Sequence, residues 1–268
     1  MRFAYHAVLN ALEHRPLDAP GRLGLILRGS IQGQVPYERF HQTGVDLEAA
    51  RVSEDDLWSR AQEWQSLDAN PLYLVGLSTN SREAKLGLYN AYNCKASLGV
   101  STFVDLRVAN DKVDELIRIR RRRTDRHDPY PCRFASVNAV ITTMQPREAR
   151  SLVQMADRAE AHQTTTFEVL RVLEADPTLK LQAVADELGV SLRTLQRRLS
   201  LEGMSFELIA QAAKLNHATL ALSGADSLTQ IALAAGYSDL AHMTKAFVKA
   251  CCLPPSMLRS LATPDPVI

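Results

Sequence analysis

Five polar side chains suited to nucleic acid lie close together in the C-terminal part of the chain: Arg193, Thr194, Gln196, Arg197 and Arg198. An arginine fork fits a guanine edge or a phosphate, and a glutamine amide fits an adenine edge. Leu195 and Leu199 are four residues apart, so they bury one face of a helix and leave the arginines on exposed or flanking faces. The pattern is typical of a helix that contacts DNA bases.

The preceding residues predict how this helix is positioned. Residues 181–188 have apolar side chains at helical spacing, and Ala185 is small enough for two helices to cross closely. Gly189 fits the left-handed conformation that ends a helix. Ser191 is a good N-cap for the next helix and a sixth candidate DNA contact in this unit. Residues 181–199 therefore predict a helix-turn-helix.

The same pattern recurs 47 residues later, where Ala232 and Gly236 repeat Ala185 and Gly189. The second turn is one residue longer. Its candidate DNA contacts are Ser238, Asp239, His242, Lys245 and Lys249. With only one histidine and two lysines as donors, this helix favours phosphate contact over base reading.

A single long helix is predicted between the two units. Gly203, Met204 and Ser205 precede an apolar pattern that runs from about Phe206 to Leu222. A rigid connector fixes the separation of the two units. Two reading helices about 34 Å apart enter successive major-groove segments on one face of DNA.

Residues 166–260 resemble the DNA-binding domain of the AraC/XylS family of bacterial transcription regulators. The resemblance is carried by residues 195–199, 202–205, 231–239, His242, 246–247 and 255–259. It implies a bilobed domain of seven helices that binds promoter DNA with one recognition helix per unit. Lys214, Met243 and Cys252 depart from the family pattern, as packing variants.

The N-terminal part is similar to the effector-binding or dimerisation domains of one branch of that family, at residues 44–47, 52–58, 71–73 and 86–88. We place a regulatory and dimerisation domain at residues 1–163 and the DNA-binding domain at 164–268. Strand-like stretches at 72–75, 100–106 and 133–144 predict an α+β fold for the first domain and an all-α fold for the second.

Charge and composition bound the function. The chain has 268 residues, a formal charge of +1 and the composition of a globular protein. The positive charge is concentrated in the arginine run 118–126, which reads either as the solvated end of an amphipathic helix or as a phosphate-contacting patch. With no apolar leader or membrane-length stretch, and with cysteines read as reduced thiols, we expect a cytoplasmic protein.

Two other functions compete with a DNA-binding regulator. Residues 131–133 (Pro-Cys-Arg) are similar to the Pro-Cys-His-Arg motif of DNA alkyltransferases, which makes Cys132 a candidate nucleophile, but the histidine is missing. A non-catalytic interaction protein could also keep the fold without binding DNA. The near-neutral charge of residues 165–268 favours that alternative, whereas the arginines at 193, 197 and 198 oppose it.

We therefore predict a sequence-specific transcription regulator that binds double-stranded promoter DNA, with activation as the favoured sign. We expect no enzymatic activity, no cofactor, no metal and no membrane partner. We also expect a homodimer formed through the N-terminal domain. A small-molecule effector in that domain and a contact with RNA polymerase are compatible with this function.

Overall fold

The computed structural model describes residues 3–14, 17–79, 81–96, 102–109, 114–121, 129–135 and 149–262. In its N-terminal part the elements are β1 (Phe3–Tyr5), α1 (His6–Glu13), α2 (Ala19–Ile31), β2 (Gln34–Pro36), α3 (Tyr37–Ala49), α4 (Glu54–Ser66), α5 (Pro71–Ser78), α6 (Arg82–Ala96), β3 (Thr102–Ala109), β4 (Asp114–Arg121) and α7 (Leu152–Arg158). Residues 130–135 are also helical.

The α+β prediction for residues 1–163 is wrong, because the described part of this region is mainly helical. The described strands form only two separate antiparallel pairs, β1 with β2 and β3 with β4. The predicted strand at 72–75 lies inside α5. The Asn70 side chain accepts a hydrogen bond from the Leu72 amide, and Pro71 fits the first turn, so the chain enters a helix there.

Two further predictions in this region were wrong. The helix expected to end in the arginine run is strand β4 over 114–121, whose Ile119 pairs with Val104 of β3. Arg122, Arg123 and Arg126 lie outside the described residues. The strand expected over 133–144 begins instead as a helix over 130–135, and its remainder lies outside the described residues. The predicted strand at 100–106 overlaps β3.

Between residues 165 and 262 the regular elements are all helices, as predicted. Its seven helices are α8 (Thr165–Ala175), α9 (Leu181–Glu187), α10 (Leu192–Leu201), α11 (Phe206–Ala221), α12 (Leu228–Ala234), α13 (Leu240–Cys251) and α14 (Pro255–Ala262). We call α9 and α10 the first unit, and α12 and α13 the second unit. The 16-residue helix α11 connects them and is about 24 Å long at 1.5 Å per residue.

The N-terminal helices complete the hydrophobic core of each unit. Leu23 and Leu27 of α2 pack in the core that holds Leu195 and Leu199 of the first unit. Leu72 and Val75 of α5 pack with Phe247 of the second unit, among other residues. Burying these apolar side chains is the main force that joins the two parts of the chain. The N-terminal region is thus packed against both units.

Three N-terminal residues add hydrogen bonds at the ends of the two second helices, and we call Arg28, Gly33 and Asn70 the interdomain bridge. Arg28 donates to the Gly203 carbonyl just after α10, at 3.1 Å. The Gly33 amide and the Asn70 side-chain amide both donate to the Ala250 carbonyl of α13, each at 2.9 Å. The bridge therefore fastens α2 and its neighbours to both units at once.

Candidate DNA interface

The two turns have the same backbone geometry. In the first unit Gly189 has φ 65°, and the Val190 amide donates to the Ala185 carbonyl at 3.0 Å. In the second unit Gly236 has φ 79°, and the Tyr237 amide donates to the Ala232 carbonyl at 2.9 Å. A hydrogen bond that spans six residues after a left-handed glycine is the Schellman ending of a helix. Both predicted helix-turn-helix units are therefore present.

Packing orients the second helix of each unit. Leu195 and Leu199 of α10 and Met243 and Phe247 of α13 are buried, with exposures of 0–1%. Ala185 lies fully buried where α9 crosses α10. Because these faces are fixed inward, the polar faces of α10 and α13 are fixed outward. The small residue and the buried anchors thus have the roles that the sequence predicts.

The polar face of α10 is available to a ligand. Arg193, Gln196, Arg197 and Arg198 are exposed. Within the described ranges, none of these four side chains makes a hydrogen bond or an ion pair, whereas Thr194 is half-buried and bonds Ser191. Three guanidinium groups and one amide are therefore free to donate. Such a set suits both base edges and phosphates.

Ser191 acts first as a helix cap. Its hydroxyl accepts a hydrogen bond from the Thr194 amide at 3.1 Å and lies 2.8 Å from the Thr194 hydroxyl. The cap fixes the start of α10 and with it the direction of Arg193. Of the six candidate residues in the first unit, four are thus free and two are engaged with each other.

The second unit is capped by Asp239, one residue later than in the first. Its carboxylate accepts from the His242 amide at 2.7 Å and from the Ser238 hydroxyl at 3.1 Å. These bonds, the backbone one first, lower the pKa of Asp239 below its usual value. The His242 ring lies 3.2 Å from the Ser238 hydroxyl and packs edge-on against Tyr237. Ser238, Asp239 and His242 therefore form one hydrogen-bonded group at the start of α13.

Lys245 and Lys249 follow His242 along the exposed face of α13. A third lysine, Lys214 of α11, was noted in the sequence only as a packing variant; its ammonium donates to the Gly236 carbonyl at 2.8 Å. This bond ties the connecting helix to the turn of the second unit. The sequence gives no signal for the contact between Lys214 and Gly236, because it depends on how α11 and α12 pack.

Family models match this part of the chain. A model described as a helix-turn-helix domain matches residues 184–260, and a model described as winged helix-turn-helix DNA-binding matches residues 163–200. The C-terminal region is an AraC-type helix-turn-helix domain. The chain is a DNA-binding transcriptional regulator, as the sequence predicted.

Solved structures are similar to part of the chain. One is the C-terminal domain of AraT, a response regulator from Geobacillus stearothermophilus, with 26% identity over 35% of this chain and 83% of that one, and a TM-score of 0.32. Another is ToxT from Vibrio cholerae O395, with 13% identity over 49% of this chain and 57% of that one, and a TM-score of 0.35. The chain thus spans just over half the length of ToxT. No protein among the curated sequences matches it.

Cys132 is the candidate nucleophile outside the AraC-type domain. Cys132 is fully buried, and its thiol donates to the Phe40 carbonyl at 3.4 Å. A nucleophile that accepts an alkyl group from DNA needs access to the base, which this packing denies.

Among the described residues there is no cluster of His, Cys, Asp and Glu that could hold a metal, and no helix long and apolar enough to cross a membrane.

Proposed function

We propose that α10 reads DNA sequence and that α13 anchors the domain on the backbone. Arg193 and Gln196 are the base-reading side chains, with Arg197 and Arg198 on a phosphate or a base edge. The observation that carries this proposal is the set of free donors on α10, a helix that is capped at its start and held by a buried leucine face. His242, Lys245 and Lys249 contact phosphates, because the start of α13 offers few free groups for a base edge.

The connecting helix supports binding by both units at once. It joins the end of the first unit to the start of the second, and Lys214 fixes its orientation to the second turn. Because α11 packs in the core of the first unit through Ala212 and in the core of the second through Leu215, it holds the two reading helices in one frame. We propose that they enter successive major-groove segments, which lie about 34 Å apart.

We propose that residues 1–163 form a regulatory domain and that residues 164–268 form the DNA-binding domain. The Thr164 side chain caps α8 by accepting from the Phe167 amide at 3.1 Å, which supports a boundary close to this residue. The interdomain bridge supports coupling, since a shift of α2 changes contacts at Gly203 and at Ala250 together. An effector that favours one position of α2 would therefore bias both reading helices.

We propose that the regulator acts as a homodimer in the bacterial cytoplasm and activates transcription. Two copies double the number of reading helices, which offsets the modest attraction of a chain with formal charge +1 for random DNA. Sedimentation of the full chain at several concentrations tests the dimer. A promoter fusion with and without the gene tests the sign, and loss of reporter signal on deletion is the expected result.

Full-length protein and duplexes selected from random DNA test the proposed reading mode. We expect one enriched sequence, a Kd that rises steeply with salt, and at least 10³-fold preference over random duplex at matched salt, the low end for specific regulators. Equal affinity for the selected and the random duplex would mean that α10 contacts phosphates and does not read bases. No binding at low salt would favour the alternative of an interaction protein that keeps the fold.

A further inference from the structure

A cleft of about 570 Å³ lies between the connecting helix and the second reading helix. One wall is the face of α11 that carries Phe206, Ala210 and Lys214, and the other is the face of α13 that carries Lys245 and Lys249. Ile31, the last residue of α2, also lines it. The N-terminal region, the connecting helix and the second unit thus meet at this cleft.

The lining combines an apolar floor with cations. Phe206, Ala210, Leu215 and Ala246 supply apolar surface. Three lysines face a single carboxylate, that of Glu207, which already accepts from Gln211 at 3.0 Å. An ammonium has three donor hydrogens, so Lys214 keeps two for a ligand after its bond to Gly236. The cleft is therefore complementary to a molecule with one anionic group and an apolar body.

The size of the cleft supports a small ligand as its occupant. Its volume lies within the range of about 300–1,000 Å³ that small-molecule sites occupy. A DNA phosphate would meet the lysines but leave the apolar floor in contact with water, so it fits the cleft less completely. We propose that the cleft binds an organic monoanion, a carboxylate or sulfonate on a compact apolar body.

Binding in this cleft has a direct consequence for DNA, which rests on the proposed function of α13. The anion neutralises Lys245 and Lys249, the groups proposed to contact phosphates. It also places an apolar body beside His242. The ligand and DNA therefore exclude each other at the second unit, and the anion acts as a competitive regulator without any change of fold.

The test uses the full-length chain and the fluorescent anion 8-anilinonaphthalene-1-sulfonate, titrated in the absence of DNA. We expect saturable binding with one site per chain. The uncharged analogue N-phenyl-1-naphthylamine should bind at least about tenfold more weakly, since one charge-assisted contact is worth about a factor of ten. Absence of saturable binding, or equal affinity for both probes, would overturn the site.

Substitutions of residues that line the cleft test whether the probe binds there. The double variant Lys245→Ala/Lys249→Ala should weaken it by about tenfold or more, whereas Lys95→Ala, an exposed lysine of α6, should leave it unchanged. Ala210→Leu fills the floor from the connecting helix and should also weaken the probe, with the lysines and the DNA-contacting face intact. Thermal melts of each variant show that it folds. If folded variants all bind the probe like wild type, the probe lies elsewhere and the proposal is wrong.

A selected duplex separates the anion site from the proposed function. Displacement of the probe by the duplex, with Ala210→Leu still binding DNA, supports both. Simultaneous binding of probe and duplex would refute the exclusion. A chain that binds the probe in the cleft but no DNA would refute the proposed reading mode and leave the anion site established.

Discussion

Replacement of Asn70 perturbs the link between the N-terminal region and the second reading helix. Asn70 is 1% exposed, and its amide donates to the Ala250 carbonyl at 2.9 Å and to the Gly29 carbonyl at 3.2 Å. Its side-chain oxygen caps α5 by accepting from the Leu72 amide at 3.0 Å. Asn70→Ser keeps a capping oxygen and removes both amide bonds, of which only the one to Ala250 belongs to the bridge, and Asn70→Ala removes all three.

The magnitudes follow from these contacts. Ala250 keeps the Gly33 amide as a donor, whereas the Gly29 carbonyl is left with one partner fewer in a buried site. Two lost bonds at about 1 kcal/mol each, with part of a desolvation penalty, give about 2–3 kcal/mol for Asn70→Ser. Loss of the cap adds about 1 kcal/mol in Asn70→Ala. At about 2–4 °C per kcal/mol for a chain of this size, Asn70→Ser should lower Tm by roughly 5–10 °C.

Two probes of unfolding make the test specific. Both tryptophans, Trp58 and Trp64, lie on α4, so fluorescence follows the N-terminal region, while circular dichroism follows all helices. Because each unit's core includes N-terminal side chains, both signals should shift together by the same amount. A fluorescence shift with no shift of the bulk dichroism, or a Tm within about 1 °C of wild type, would refute the bridge as a link between the two parts.

Three further predictions concern single elements. Glu202 accepts hydrogen bonds from the Thr166 amide and hydroxyl at 2.9 and 2.6 Å. Glu202→Ala should therefore cost about 2–4 kcal/mol in urea unfolding and Glu202→Gln about half of that. Equal costs would show that these two bonds do not stabilise the start of α8. Gly236→Ala should cost more than Gly189→Ala in the same assay, because both glycines have positive φ but only at 236 would a new Cβ lie 3.2 Å from another side chain. Burial lowers the pKa of His6 from 6.5 to about 4. The fold therefore favours the neutral ring, by about 3 kcal/mol above pH 6.5. That stabilisation is lost as the pH falls from 6.5 to 4. His6→Gln should flatten that part of the stability profile, and an unchanged profile would contradict the prediction.

The C-terminal domain could be predicted from sequence because its signals are local. Gly189 and Gly236 sit where the backbone needs a left-handed residue, and Ser191 sits where a helix needs a cap. Each of these requirements is met within a few residues of chain. The periodicity of buried leucines then fixes the face that is left for DNA.

The N-terminal region could not be predicted in the same way because its helices depend on distant contacts. All residues from Pro71 to Leu77 are buried, so α5 has no polar face and no helical periodicity. The Asn70–Pro71 pair was the one local signal for a helix there. In β4 the alternation Ile117, Arg118, Ile119, Arg120 is the strand signal, and it competed with an equally plausible helical spacing.

The candidate site was predicted as a set of residues and not as an arrangement. Sequence identifies the donors of α10, since they share one helix. It does not show that Lys214 reaches Gly236 or that Asn70 reaches Ala250, because these pairs are far apart in the chain. Such contacts follow from the packing of α2, α5 and α11 and are visible only in the folded protein.

Binding of a selected duplex by Arg193→Ala tests the central claim most directly. Arg193 and Arg171 are both exposed arginines, on α10 and α8, so Arg171→Ala is the matched control for the loss of one charge. Fluorescence anisotropy at fixed salt should show a Kd about 5–150-fold higher for Arg193→Ala, equivalent to 1–3 kcal/mol, with relaxed preference at one base position and little change for Arg171→Ala. Equal affinities and footprints for wild type and Arg193→Ala would contradict the account.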